Sequence, residues 1–270
     1  MPLLLWIILC AALGGIASAA FAVALLWVPQ KHSAWLLPHF LSFATGALLG
    51  AAFLALLPEA IAGAGTAGAH GLGVALVSGL GLFFVIEKLV LWWHSQAEEE
   101  GGHAQDAAPL AHGHGHRHGR DRASGILVLC GDSLHNALDG VLIAAAFLKD
   151  PSLGFVTTFA VAAHEVPHRV GDFAILVHAG WSQRRALVLN LATGLASIVG
   201  AIVAYVALRD ALGALPYALA VAAAGFLYIA LAGLIPGLHG KSDPRTSATQ
   251  VGLIAAGIGV IALAERLTHS

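Results

Sequence analysis

Two short polar stretches hold most of the strong ligand groups in this chain's apolar runs: Asp132-Ser-Leu-His-Asn-Ala-Leu-Asp139-Gly140 and His164-Glu-Val-Pro-His-Arg-Val-Gly-Asp172. At helical spacing His135, Asn136 and Asp139 share one face, and so do His164, Glu165 and His168. Asp132 extends the first stripe by one turn and Asp172 the second. Imidazoles and carboxylates at this density form a metal-binding constellation. The mixture favours Zn²⁺ and its neighbours over Ca²⁺ or Mg²⁺, which prefer oxygen ligands. Each ligand must be deprotonated to bind, so metal affinity is expected to fall at acid pH.

The elements that position these groups are apolar helices. The chain is 58% hydrophobic and 10% charged with a mean hydropathy of +0.82, against about 25% charged residues in a globular protein. Its fold class is therefore an all-α integral membrane protein. A span needs roughly 20 mostly apolar residues, and eight runs qualify: 3–28, 39–62, 71–93, 125–148, 153–178, 185–208, 214–236 and 250–267. They divide one membrane domain into three helices in 1–93, a polar loop in 94–124 and five helices in 125–270. The polar stretches fall in the fourth and fifth runs. Isolated polar groups in a span often act as glue between helices, but a cluster this dense reads as an ion pathway. Pro167 frees the carbonyl of Ala163 and is expected to bend the fifth helix at the cluster. Ala17-Ser-Ala19 resembles a signal cleavage site, but no Lys or Arg precedes a long apolar run, so a retained helix is expected. Cys10 and Cys130 lie in separate runs and supply no disulfide framework.

Loop charge sets the expected orientation. Loops after the odd-numbered runs carry Lys31, Arg117, Arg120, Arg122, Arg184, Arg185, Lys241 and Arg245, eight in all, against Lys149, Arg209 and Arg266 on the other side. Both termini are thus expected outside and the 94–124 loop in the cytoplasm. That loop contains His103, His112, His114, His116 and His118; it is expected to be disordered and suited to loose capture of Zn²⁺ or similar ions. Elsewhere, Gly46-Ala-Leu-Leu-Gly50 is a close-packing motif. Glu59 is either a metal-attracting group at the mouth or an interfacial carboxylate. Glu87 and Lys88 are expected to be buried as a structural ion pair near the cytoplasmic interface, with Trp92 and Trp93 as an aromatic belt. A faint repeat relates Leu56-Leu-Pro58 to Leu234-Ile-Pro236 and Glu87-Lys-Leu89 to Glu265-Arg-Leu267, 178 residues on, and Gly15-Ile-Ala-Ser18 to Gly194-Leu-Ala-Ser197, 179 residues on. With the topology above, such a repeat is inverted, as in many secondary transporters.

His135-Asn-Ala-Leu-Asp139-Gly and His164-Glu-Val-Pro-His168, followed by Gly171-Asp-Phe173, closely resemble paired signatures of the ZIP (Zrt/Irt-like) divalent-metal transporters, in the branch with a His-rich cytoplasmic loop. Phe83-Phe-Val-Ile-Glu-Lys-Leu-Val-Leu-Trp92, His178-Ala-Gly-Trp181 and Gly225-Phe-Leu-Tyr-Ile-Ala230 extend the resemblance over most of the chain. It implies eight helices in a 3+2+3 inverted-repeat bundle, outward-facing termini, a two-metal site between the fourth and fifth helices, and movement of metal into the cytoplasm across the plasma (cell inner) membrane. The chain departs from the family pattern in three places. Arg169 replaces the final glutamate of His-Glu-x-Pro-His-Glu, Gly233 and Gly237 occupy usually polar positions, and Ala51 and Ala55 stand where Asp and His are frequent. Arg169 lies i+4 from Glu165 and i−3 from Asp172 and can pair with either. It is expected to disfavour the second metal position, leaving one metal held mainly by His135, Asp139, His164, Glu165 and His168, with Asn136 beside them and Asp132, Arg169 and Asp172 as modulators.

Two other readings use the same residues. His164-Glu-Val-Pro-His168 fits H-E-x-x-H, the zinc hydrolase motif with Glu as general base, and Leu138-Asp-Gly140 is similar to the aspartate motif of intramembrane zinc proteases. Against this, the motifs occur in reverse order, Pro167 interrupts the helix motif, and the ligands outnumber what one catalytic zinc needs. The other reading keeps the fold as a metal-binding or sensing protein with little flux. The expected cargo is Zn²⁺, with Fe²⁺, Mn²⁺ or Cd²⁺ as alternatives. Divalent metal ions and the lipid bilayer are the expected partners, a homodimer is compatible with the sequence, and nucleic acid is not implied.

Overall fold

The computed structural model describes residues 2–26, 30–99, 115–238 and 243–268, and every regular element among them is helical. The first span is α1 (Leu3–Ala12), a π-helical turn (Leu13–Ala17) and α2 (Ser18–Leu26). The second is α3 (Gln30–Gly50), a π-helical turn (Ala51–Leu56) and α4 (Leu57–Ala64), and the third is α5 (Ala69–Glu99). Two long helices follow, α6 (Gly115–Lys149) and α7 (Pro151–His178). After them come α8 (Gln183–Thr193) and α9 (Leu195–Leu208), broken at Gly194. The last two spans are α10 (Leu215–Tyr228) with a π-helical turn (Ile229–Leu234) and α11 (Ile235–Leu238), then α12 (Pro244–Thr268).

Among the described residues six stretches are long and apolar enough to cross a membrane: Leu3–Ala22, Leu36–Ala64, Thr66–Leu89, Gln183–Leu208, Leu212–Leu238 and Pro244–Leu267. The fourth and fifth sequence runs lie in α6 and α7, which carry the charged ligand groups. These two helices are joined by the single residue Asp150. Its carboxylate accepts from Ser152 N at 2.8 Å and Leu153 N at 3.4 Å, and Pro151 stands at the first helical position, so the chain reverses with its new helix already capped. Despite Pro167, α7 runs unbroken from Pro151 to His178. Its end is closed by Gly180 at φ 82°, with the Trp181 N–H donating to Leu176 O at 3.2 Å.

Small residues let the helices approach closely. A Cβ on Gly140 would strike the Ser197 backbone, and one on Gly200 the Ala137 backbone, so α6 and α9 touch main chain to main chain. Gly46 and Gly50 of α3 pack on Ile254, Ile258 and Ile261 of α12, which gives the Gly46–Gly50 motif its packing role, and Gly15 meets Gly194.

A further departure from expectation lies on α5. Glu87 and Lys88 are exposed rather than buried. Glu87 accepts from the Tyr228 hydroxyl, and the Lys88 ammonium sits 5.7 Å from the Phe84 ring centre. The face that α5 packs on α10 is that of Gly79 and Phe83, and a place within an apolar run does not fix which side of the helix faces inward. The side chains of Trp92 and Trp93 lie outside the described residues. So do residues 100–114, while helix covers 94–99 and 115–124 of the polar loop.

Candidate metal centre

Because α6 and α7 reverse at Asp150, their polar stretches lie side by side. His135 Nε2, Asp139 Oδ2, His164 Nε2 and Glu165 Oε1 converge within 4.8 Å of one another. His135 Nε2 stands 3.3 Å from His164 Nε2, 3.4 Å from Glu165 Oε1 and 3.9 Å from Asp139 Oδ2. His164 Nε2 is 3.5 Å from Asp139 Oδ2 and 3.9 Å from Glu165 Oε1. A tetrahedron of ligands about 2.0–2.1 Å from zinc has edges of about 3.3 Å, and the five separations above, 3.3 to 3.9 Å, are of that size or slightly wider.

The hydrogen bonds prepare these atoms for a cation. His164 Nδ1 lies 3.1 Å from the Ala160 carbonyl, which can only accept; the ring proton is therefore on Nδ1 and the Nε2 lone pair faces the cluster. Both oxygens of Asp139 and Glu165 Oε1 are buried without a hydrogen-bond partner. Buried carboxylate oxygens are ordinarily paired, and these have only neighbouring imidazoles at 3.4 to 3.9 Å.

His168 does not join the four. Its ring stacks on His135 with centres 5.1 Å apart, its Nδ1 is 3.1 Å from Asp172 Oδ2, and its side chain is 40% exposed. With Asp132 and Glu165 it forms a second group of potential ligands. Asn136 also faces away from the four: its Nδ2 donates to Asp132 O at 2.8 Å and Asp132 Oδ1 at 2.9 Å, and its Oδ1 accepts from Arg169 Nη2.

Arg169 is fully buried. Of the two partners its spacing offers, it takes Glu165, donating from Nε to Oε2 at 2.8 Å. Asp172 pairs with His168 instead, and the second carboxylate on Arg169 is Asp132, whose Oδ2 accepts from Nη1 at 2.6 Å. Nη1 also donates to Asn190 O at 2.9 Å, Asn190 Oδ1 at 3.1 Å and Thr193 Oγ1. Asn190 Nδ2 returns a bond to Arg169 O at 2.9 Å. Asn190 and Thr193 escaped the sequence reading; the signal was two polar residues three apart in an apolar run, just before Gly194.

The surroundings differ on the two sides of the cluster. From Asp139 towards Lys149, Leu142 to Phe147 are all buried, and at that end Lys149 Nζ binds Glu59 Oε2 at 3.0 Å. From His164 towards His178, α7 carries His168 and Asp172, and the exposed edge of the centre lies on this side. His112 and His114 lie outside the described residues, and His116 and His118 begin α6 with side chains that are not described.

The family described as ZIP Zinc transporter matches residues 3–123 and 97–265. "Zinc transporter ZIP13" of Homo sapiens is 36% identical over 269 residues, covering 87% of this chain and 72% of its own. "Zinc transporter ZIP13" of Danio rerio is 33% identical over 262 residues, covering 84% and 75%. "Zinc transporter ZIP4" of Mus musculus is 33% identical over 291 residues, covering 84% of this chain and 42% of its own length.

Proposed function

Since the chain belongs to the ZIP zinc transporter family, multi-pass membrane proteins that move metal rather than catalyse reactions, we propose that it carries Zn²⁺ into the cytoplasm through one ion position formed by His135, Asp139, His164 and Glu165. The observation that carries this reading is the compact set of four ligand groups, within 4.8 Å of one another, with three unpartnered carboxylate oxygens. Of His164-Glu-Val-Pro-His168 only His164 and Glu165 then serve this position, and the match to the hydrolase motif is fortuitous. The His168 side of the centre, with Asp172, is the exit, and Leu142 to Phe147 close the opposite path. Arg184 and Arg185 stand in the first turn of α8, directly after the turn that ends α7, so the positive-inside rule puts the exit in the cytoplasm. There, His112, His114, His116 and His118 collect departing ions. Fe²⁺, Mn²⁺ and Cd²⁺ are competing cargo, and the plasma membrane is the assigned location.

An eight-helix 3+2+3 inverted repeat is part of the proposal. In its support, the π-helical turns Ala51–Leu56 and Ile229–Leu234 occupy equivalent places 178 residues apart, and the helix breaks at Leu13–Ala17 and Gly194 correspond at the offset of 179. The partners exchange accordingly: α3 packs on α12, and α5 on α10.

Arg169 favours a second reading, that of a metal-binding protein with little flux, because its guanidinium takes up Glu165 Oε2 and Asp132 Oδ2 where a second ion would bind. Uptake of Zn²⁺ into proteoliposomes, with metal counting on the purified chain, decides between them. Transport predicts one core metal, uptake by the native chain and none by His135→Ala. Two core metals overturn the single-ion site, and uptake only after Arg169→Glu makes the low-flux reading the correct one.

A further inference from the structure

Six oxygens from three helices surround the Arg169 guanidinium. Asp132 Oδ2 and Asn136 Oδ1 come from α6, Glu165 Oε2 from α7, and Asn190 O, Asn190 Oδ1 and Thr193 Oγ1 from α8. The α8 share depends on the break between α8 and α9 at Gly194. In a continuous helix the Gly194 N–H would bond the Asn190 carbonyl; here it turns to Ala192 O, and the Asn190 carbonyl accepts from Arg169 and, at 2.8 Å, from the Thr193 hydroxyl. The end of a helix that shows its carbonyls is the negative end of its dipole, and broken membrane helices present such ends to cations. Two carboxylates reinforce it. A cage of this kind suits a cation that donates hydrogen bonds to several oxygens at once, which the guanidinium fork does with its five N–H donors.

We propose that the cage is a second cation site in its own right, permanently filled by the tethered guanidinium, and that the filled cage turns Glu165 so that Oε1 faces the four-ligand cluster. Arg169 thereby acts as a positioning residue: it binds one oxygen of Glu165 and leaves the other free, 3.4 Å from His135 Nε2. The ligand class of the emptied cage is guanidinium and its small alkyl derivatives. The positioning half of the proposal rests on the reading of the cluster as the metal site, whereas the cage stands on its own contacts.

The test uses the purified full chain, with millimolar guanidinium chloride as probe and tetramethylammonium chloride as control. Arg169→Ala is expected to unfold at a lower temperature than the native chain and to bind Zn²⁺ at least about tenfold more weakly, since Asp132 and Glu165 lose their partner. Guanidinium is expected to raise its midpoint saturably and restore Zn²⁺ affinity over the same concentrations, while giving the native chain no stabilisation. Asp132→Asn/Arg169→Met, which removes the charges together, is expected to fold and not to respond to guanidinium. If Arg169→Ala does not fold, Arg169→Lys carries the test: it keeps the charge without the fork and is expected to bind Zn²⁺ more weakly than the native chain. Native Zn²⁺ affinity in that variant overturns the positioning role, as does native affinity in Arg169→Ala without guanidinium. A midpoint that guanidinium does not raise, or raises equally in the native chain, overturns the cage. Failure of the native chain itself to bind Zn²⁺ overturns the metal centre, and the midpoint comparison then still judges the cage.

Discussion

Asp139 and Glu165 differ in one respect that mutagenesis can exploit. Glu165 has one oxygen committed to Arg169, whereas both oxygens of Asp139 are buried and without a hydrogen-bond partner. Asp139→Asn keeps the shape and removes the charge. It is expected to lower Zn²⁺ affinity by about 100-fold or more, beyond the usual effect of a residue that only supports a ligand, while the chain stays folded; titration calorimetry on the purified variant checks this. The candidate residues were legible in the sequence because they share helix faces and stand out in apolar surroundings. Their grouping was not. Helical spacing offered Arg169 either Glu165 or Asp172, and it could not see Asp132 across the α6–α7 contact or Asn190 and Thr193 on α8. For the same reason His168 was counted with the other four ligands, although its ring lies on the exposed side with Asp172. Contacts within one helix follow from its period; contacts between helices depend on rotation and depth, which the sequence does not state.

The elements are held by close approach of small residues rather than by large side chains. In lipid, packing and hydrogen bonds must replace the hydrophobic driving force between helices. The α6–α9 contact at Gly140 and Gly200 leaves no room for even one methyl group. Gly140→Val is accordingly expected to destabilise the chain by at least about 4 kcal/mol, in the range reserved for severe core disruption. Gly259→Ala, which would meet nothing within 4 Å, is expected to be neutral or stabilising by up to about 1 kcal/mol through helix propensity. Thermal unfolding midpoints of the two variants in the same detergent compare them directly. The elements themselves were largely readable from hydropathy. The exception, Glu87 and Lys88, is one of facing: being inside an apolar run says that a residue lies at membrane depth, not that it points into the bundle.

For the molecule as a whole, the testable quantity is orientation. In a chain with Cys10 and Cys130 replaced by Ala, Gln183→Cys is expected to react with a membrane-impermeant maleimide only from the cytoplasmic side, and Asp210→Cys only from outside. The opposite pattern would reverse the direction of transport assigned to the exit at His168. Hydropathy made the membrane class plain, yet the two helices that hold the candidate ligands, α6 and α7, are those whose charge dilutes the apolar signal. The one-residue turn at Asp150 has a last consequence, for biogenesis. The four proposed ligands lie between residues 135 and 165, on two helices that reverse without a loop, so on that proposal a nascent chain has the whole set before the ribosome reaches the final three spans. The Arg169 cage must wait for Asn190 and Thr193. Synthesis therefore supplies the proposed metal ligands first and the groups that hold the Arg169 guanidinium only afterwards.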